Sequence, residues 1–177
     1  MALYANESKG NWNRFMIGLI VTGHGELASG VNSAVNVLVG QPESFLCVDY
    51  LLEDSTDDFE YKLKRAIEEL KHCDGILILS DMVNSAPYRI SVMMKEKFHL
   101  KQDIEIVAGF NLGMVMSVNL ARGYISSVFD LAAMAAQEGN KQIYKYVLRL
   151  YEEPDLLTVS LMFWQKLQIQ FSMEDVI

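Results

Sequence analysis

An apolar run that ends in Thr-Gly-His-Gly and passes at once into helical spacing constrains this chain more than any other stretch. Phe15 to Val21 reads as a short strand buried on both faces. Thr22-Gly23-His24-Gly25 reads as a tight turn at its carboxyl end. From Glu26 onward, Leu27, Val31, Ala34, Val35 and Leu38 recur at helical intervals. The unit is a strand, a turn and a helix, with a histidine at the bend. In open α/β sheets, ligands collect outside the carboxyl ends of strands, near helix amino termini. His24 therefore falls where chemistry is expected.

The rest of the chain repeats the pattern. Gly40-Gln41-Pro42 ends the first helix, and Phe45 to Tyr50 forms a second strand. Asp57 and Asp58 favour a helix start, with Phe59, Leu63, Ala66, Ile67 and Leu70 as its buried face. Ile76 to Leu79 is a third strand ending at Ser80-Asp81, and Met82 to Ala86 is a loop. Pro87 suits a first helical position, and Ile90, Met93, Met94 and Phe98 then face the core. Ile104 to Ala108 is a fourth strand, followed by helices around Met114 to Leu120, from Ser126 or Ser127 through Met134, and over Gln142 to Leu150. The predicted fold class is α/β, an open, mainly parallel doubly wound sheet with helices on both faces. Residues 1–13 are expected to form a flexible arm and residues 14–154 a single domain. Residues 155–177 differ: side chains alternate between apolar and polar from Thr158 to Ser172, which predicts an edge strand or hairpin partly paired with a second copy of the chain.

Composition narrows the function classes. The 177 residues suffice for one sizeable core, and the net charge of −8 argues against nucleic acid or an anionic membrane as partner. No apolar run approaches the ~18 residues of a membrane span. The polar first ten residues do not resemble a signal peptide, so the expected compartment is the cytoplasm. Cys47 and Cys73 lie in or beside apolar runs and read as reduced core thiols. No His/Cys spacing suggests a metal site, and His72 and His99 fall at helix ends. Arg89 and Arg122 are weaker candidates for a phosphate contact.

The glycine-histidine turn admits three readings. The glycines serve the turn alone, with His24 bonded to a carbonyl. Or Gly23-His24-Gly25-Glu26-Leu27-Ala28 satisfies the dinucleotide pattern G-x-G-x-x-A, with Asp49 as the ribose-binding acid. Against this, Glu26 places a negative charge where a pyrophosphate would sit. Or His24 is a nucleophile toward a phosphoryl group, since imidazole, with an ordinary pKa of about 6.5, offers a lone pair near neutral pH. That chemistry needs an acceptor orienting one ring nitrogen and donors for the phosphoryl oxygens. Asp81 is the candidate orienter, because the third strand is expected beside the first. The amides near Gly25 and in the loop with Met82, Asn84 and Ser85 are the candidate donors.

Three segments in order carry a family resemblance: a first strand ending in T-G-H-G, a third strand ending in Asp81 before a small-residue loop and Pro87, and Val107-Ala108-Gly109-Phe110-Asn111-Leu112-Gly113-Met114. Together they resemble enzyme IIA of the mannose family in the bacterial sugar phosphotransferase system, over roughly Phe15 to Gly139. The resemblance implies a phosphocarrier in which a histidine matching His24 accepts a phosphoryl group from HPr and passes it to an enzyme IIB. It implies an aspartate matching Asp81 that orients the ring, and a homodimer exchanging an antiparallel carboxyl-terminal edge strand. It further implies no cofactor, and association with a membrane permease complex without insertion. A related branch donates to a dihydroxyacetone kinase, and a regulatory or binding module is a further alternative; a dinucleotide-binding enzyme ranks below these. The loop departs from the family pattern D-x-x-G-G-S-P. Asn84 and Ser85 replace the glycines, Ala86 stands at the serine position, and Ser85 offers a hydroxyl one place earlier.

Overall fold

The computed structural model describes residues 15–98 and 102–146. The elements run β1 (Ile17–His24), α1 (Leu27–Val39), β2 (Phe45–Tyr50), α2 (Thr56–Glu69), β3 (Gly75–Ser80), α3 (Ala86–Phe98), β4 (Ile104–Ala108), α4 (Leu112–Ala121) and α5 (Val128–Lys141). The strands form one four-stranded sheet in the order β2-β1-β3-β4, and every pairing is parallel. This is the open, doubly wound α/β sheet that the alternating pattern predicts. The antiparallel edge strand expected over residues 155–177, and its exchange, lie outside the described residues, as does His99. The described residues up to Ile143 belong to one compact unit.

Alternate side chains of the central strands feed two cores. Ile17, Leu19, Val21, Leu77 and Leu79 pack against α1, α4 and α5 through Val35, Val115 and Leu131. Ile20, Ile76 and Ile78 point the other way, onto Phe59, Leu63 and Ile67 of α2 and Ile90 and Met94 of α3. Burial on both faces explains why β1 and β3 read as continuous apolar runs.

Several local expectations are revised. β1 does not stop at Val21: it runs through Thr22, Gly23 and His24, which pair with Val48, Asp49 and Tyr50. The turn is confined to Gly25, at φ +57°, and Glu26. Leu27 and Leu38 are exposed, and the buried face of α1 is Ala28, Val31 and Val35. Helix α3 begins at Ala86, so Pro87 occupies its second position. Ser127, not Ser126, caps α5 by accepting from the Asp130 N–H, and α5 runs on to Lys141. The helix expected from Gln142 is absent over residues 143–146, because Gln142 itself closes α5, its N–H bonded back to Gly139 and Asn140.

Arg122 is also not what its sequence position suggests. It is 4% exposed, at the amino-terminal end of the sheet, remote from His24. Its guanidinium donates to the carbonyls of Ile17 at 3.0 Å, Ser44 at 2.9 Å and Glu43, and to Asn119 Oδ1 at 3.1 Å. It ties the end of α4 to the start of β1 and the β2 approach, and its donors are occupied by the chain itself.

Candidate functional site

Strand order reverses between β1 and β3, since the chain steps outward to β2 on one side and to β4 on the other. A crevice at the carboxyl ends of the strands opens at such a switch point. His24 ends β1, and Asp81 directly follows β3. The topology thus sets the two sequence-predicted residues side by side.

Each position of Thr22-Gly23-His24-Gly25 has a separate task. Thr22 is fully buried, and its hydroxyl donates to the Val48 carbonyl at 2.7 Å, pinning β1 to β2. Gly23 leaves room for Asp81: a Cβ there would lie 3.1 Å from Asp81 Cβ, Cγ and Oδ2. His24 presents its ring, with the side chain 45% exposed. Gly25 adopts the left-handed conformation that begins the turn into α1, at little steric cost.

Asp81 Oδ2 accepts two bonds from one residue. The His24 backbone N–H donates to it at 3.0 Å, and His24 Nδ1 lies 2.8 Å away. Burial by itself would raise the carboxyl pKa of Asp81. The bonds from the His24 backbone and ring, together with the Met82 N–H, outweigh that and hold it below the ordinary carboxylate value. An ionised Asp81 has no proton to give, so Nδ1 carries one and donates it. In the neutral ring the lone pair then sits on Nε2.

The other predicted residues divide. Gly25 lies beside the ring, but its N–H donates to the Tyr50 carbonyl at 2.8 Å and is not on offer to an anion. The Met82 N–H faces Asp81, and the Met82 side chain is exposed. Ser85 is buried at the start of α3. Its hydroxyl accepts from the Tyr88 N–H at 3.4 Å and its carbonyl from the Arg89 N–H at 2.9 Å, so it serves the helix start. Asn84 holds φ +63°, the left-handed angle that a glycine adopts without strain. Asparagine is among the few residues other than glycine that adopt this angle readily. Arg89 stays exposed in the first turns of α3. The N-cap residue Glu26 makes no side-chain cap bond, and the first amides of α1 follow His24 directly, though the Ser29 N–H in that first turn is taken by Asp49.

Tyr50 was not among the residues singled out from sequence. It faces His24 in the β1–β2 register, and the two rings meet at 5.8 Å between centroids and 66° between planes. Only the strand register reveals this pairing.

The dinucleotide reading loses its acid. Asp49 Oδ1 accepts the Ser29 N–H at 3.1 Å, and Asp49 Oδ2 accepts the Ser29 hydroxyl. Asp49 thus joins β2 to α1, while Gly23 serves the approach of Asp81. Among the described residues, no cluster of His, Cys, Asp and Glu could hold a metal ion. No described helix is long and apolar enough to cross a membrane. Beneath the site, Asn111 caps α4 by accepting from the Met114 N–H at 2.9 Å and donates to the Gly139 carbonyl of α5 at 2.9 Å, which accounts for the Asn of the third sequence segment.

Known proteins resemble this chain in sequence and in fold. The family EIIA-man, described as "PTS system fructose IIA component", matches residues 18–136. The chain is 23% identical over 128 residues to the PTS system mannose-specific EIIAB component of Escherichia coli K12, covering 72% of this chain and 38% of that protein. It is 28% identical over 100 residues to the PTS system sorbose-specific EIIA component of Lacticaseibacillus casei, covering 56% of this chain and 70% of that one. The crystal structure of phosphotransferase system component EIIA from Streptococcus agalactiae superimposes with a TM-score of 0.68 at 24% identity, over 73% of this chain and 97% of the other.

Proposed function

The chain belongs to the mannose-type enzyme IIA family of the phosphotransferase system, and from that premise we propose that it carries a phosphoryl group on Nε2 of His24. The observation that carries this reading is the pairing of His24 Nδ1 with Asp81 at 2.8 Å, which leaves Nε2 as the nucleophilic nitrogen on a half-exposed ring.

The step is an in-line displacement. The Nε2 lone pair attacks phosphorus of a phosphorylated donor, the N–P bond forms, and the bond from phosphorus to the donor breaks toward the donor. Nδ1 keeps its proton throughout. Positive charge grows on the ring, and the Asp81 carboxylate stabilises it at contact distance. The phosphoryl oxygens are received by the first amides of α1 after Gly25 and by those of the loop at Val83 and Asn84. The Gly25 and Met82 amides hold Tyr50 and Asp81 in place instead. The reverse displacement hands the group on.

The donor in this reading is HPr and the acceptor an enzyme IIB serving sugar uptake, in the cytoplasm. The test is phosphotransfer from phosphoenolpyruvate through enzyme I and HPr. The protein should take up an acid-labile, base-stable label that His24→Ala abolishes and His72→Ala retains. His72 is a suitable control, since its Nδ1 bonds the Glu69 carbonyl at 3.1 Å, at the other end of the sheet. Full labelling of His24→Ala would refute the assignment.

A further inference from the structure

We propose that Tyr50 is a positioning residue for His24, fixing the plane of the imidazole while Asp81 fixes its Nδ1 corner; the proposal rests on the phosphocarrier reading. One hydrogen bond holds one atom of a ring. It restrains one combination of the two His24 side-chain torsions and leaves the other to vary, and the terminal torsion of histidine is intrinsically broad. The core does not lock His24, whose side chain is 45% exposed. A second contact is needed, and Tyr50 supplies it from the opposite strand, at 5.8 Å and 66°, within the edge-on range that aromatic pairs prefer.

Tyr50 is itself held. Its ring meets Phe59 at 5.1 Å and 64°, and Phe59 is fully buried. Phe59 stands in the first turn of α2, whose start is closed by a capping box between Ser55 and Asp58. The Tyr50 carbonyl also accepts the Gly25 N–H at 2.8 Å, so one residue fixes both the ring of His24 and the backbone just beyond it. His24 is clasped from β2 by Tyr50 and from the end of β3 by Asp81. The result is a fixed direction for the Nε2 lone pair, on which in-line transfer depends steeply.

The test uses Tyr50→Phe and Tyr50→Leu in the full chain, with the histidine rings isotopically labelled. Tyr50→Phe should transfer within about twofold of the parent and keep the order of the His24 ring measured by carbon relaxation. Tyr50→Leu should lower the maximal transfer rate about tenfold with KM for phosphorylated HPr unchanged, and the His24 ring should lose order. If Tyr50→Leu does not fold, Tyr50→Met, which fills the space without a ring, carries the same expectation. A parental maximal rate in the ringless variant overturns the proposal. So does a slower rate with unchanged ring order, or a rise in KM alone. If the parent protein accepts no phosphoryl group, the phosphocarrier reading fails, and ring order decides on Tyr50: unchanged order in the ringless variant overturns it.

Discussion

Gly23 and Asp81 approach so closely across the β1–β3 boundary that a methyl group on Gly23 would stand 3.1 Å from three atoms of the Asp81 side chain. The absence of a side chain at one residue thereby sets the position of the carboxylate that holds the next residue's ring. Gly23→Ala should shift the Asp81 carboxylate by a few tenths of an ångström relative to His24. The variant is expected to lose about 1–3 kcal/mol of stability in urea unfolding and to transfer at least tenfold more slowly. A parental rate would show that Asp81 need not sit at this distance.

Asp81→Asn should leave the fold intact and slow transfer by at least tenfold, because an amide can accept from Nδ1 but does not stabilise the growing ring charge. Rapid-quench transfer rates check this. The same variant tests the acid limb of stability. The folded Asp81 carboxyl lies below its ordinary value, so its contribution is present above about pH 4 and is lost as pH falls through the lower folded value. Asp81→Asn should therefore lose less stability than the parent as pH falls below about 4.

Cys47 should be a sluggish thiol. Its burial, with the neighbouring Asp49 charge adding to it and the Asn32 backbone bond opposing, pushes the pKa up to about 12. At pH 8 alkylation should run roughly a thousandfold slower than for an ordinary cysteine of pKa about 8.5. The group holds its proton more tightly when folded, so its contribution to stability is complete below the ordinary value and is lost as pH rises toward 12. Mass spectrometry of iodoacetamide-treated protein measures the rate, and modification at an ordinary rate would contradict the assignment.

Asn84 should tolerate glycine and resist β-branched residues. At φ +63°, Asn84→Gly is expected to change stability by less than about 0.5 kcal/mol, whereas Asn84→Val should cost about 1–2 kcal/mol. Thermal unfolding of the pair separates backbone strain from any side-chain contact.

Arg122→Met should destabilise by about 3 kcal/mol or more, since it strips the donors from the Ile17, Ser44 and Glu43 carbonyls. Transfer per folded molecule should not change, because Arg122 lies at the opposite end of the sheet from His24.

The sheet was legible in sequence because β1 and β3 are covered on both faces and carry unbroken apolar runs. His24 and Asp81 were legible because strand ends in such a sheet can be counted. The extension of β1 through Thr22-Gly23-His24 was not, because its ladder bonds to β2 override the weak strand preference of glycine and histidine. The buried stripe of α1 was misjudged because apolar residues surround much of that helix, and spacing alone does not choose between Leu27 and Ala28. Tyr50 depended on register, and Arg122 on a carbonyl cluster assembled from segments distant in sequence. Neither leaves a local pattern.

The placement of the Arg122 clamp at one end of the sheet and the His24 clasp at the other divides the molecule's evolutionary freedom. Loops at the carboxyl ends of the strands, such as the one holding Asn84, can exchange residues without loosening the framework. The opposite end has less latitude, because a single buried cation there binds carbonyls from three separate positions of the chain. Divergence among chains of this architecture should therefore concentrate around the histidine's rim, and loss of the fold around the arginine.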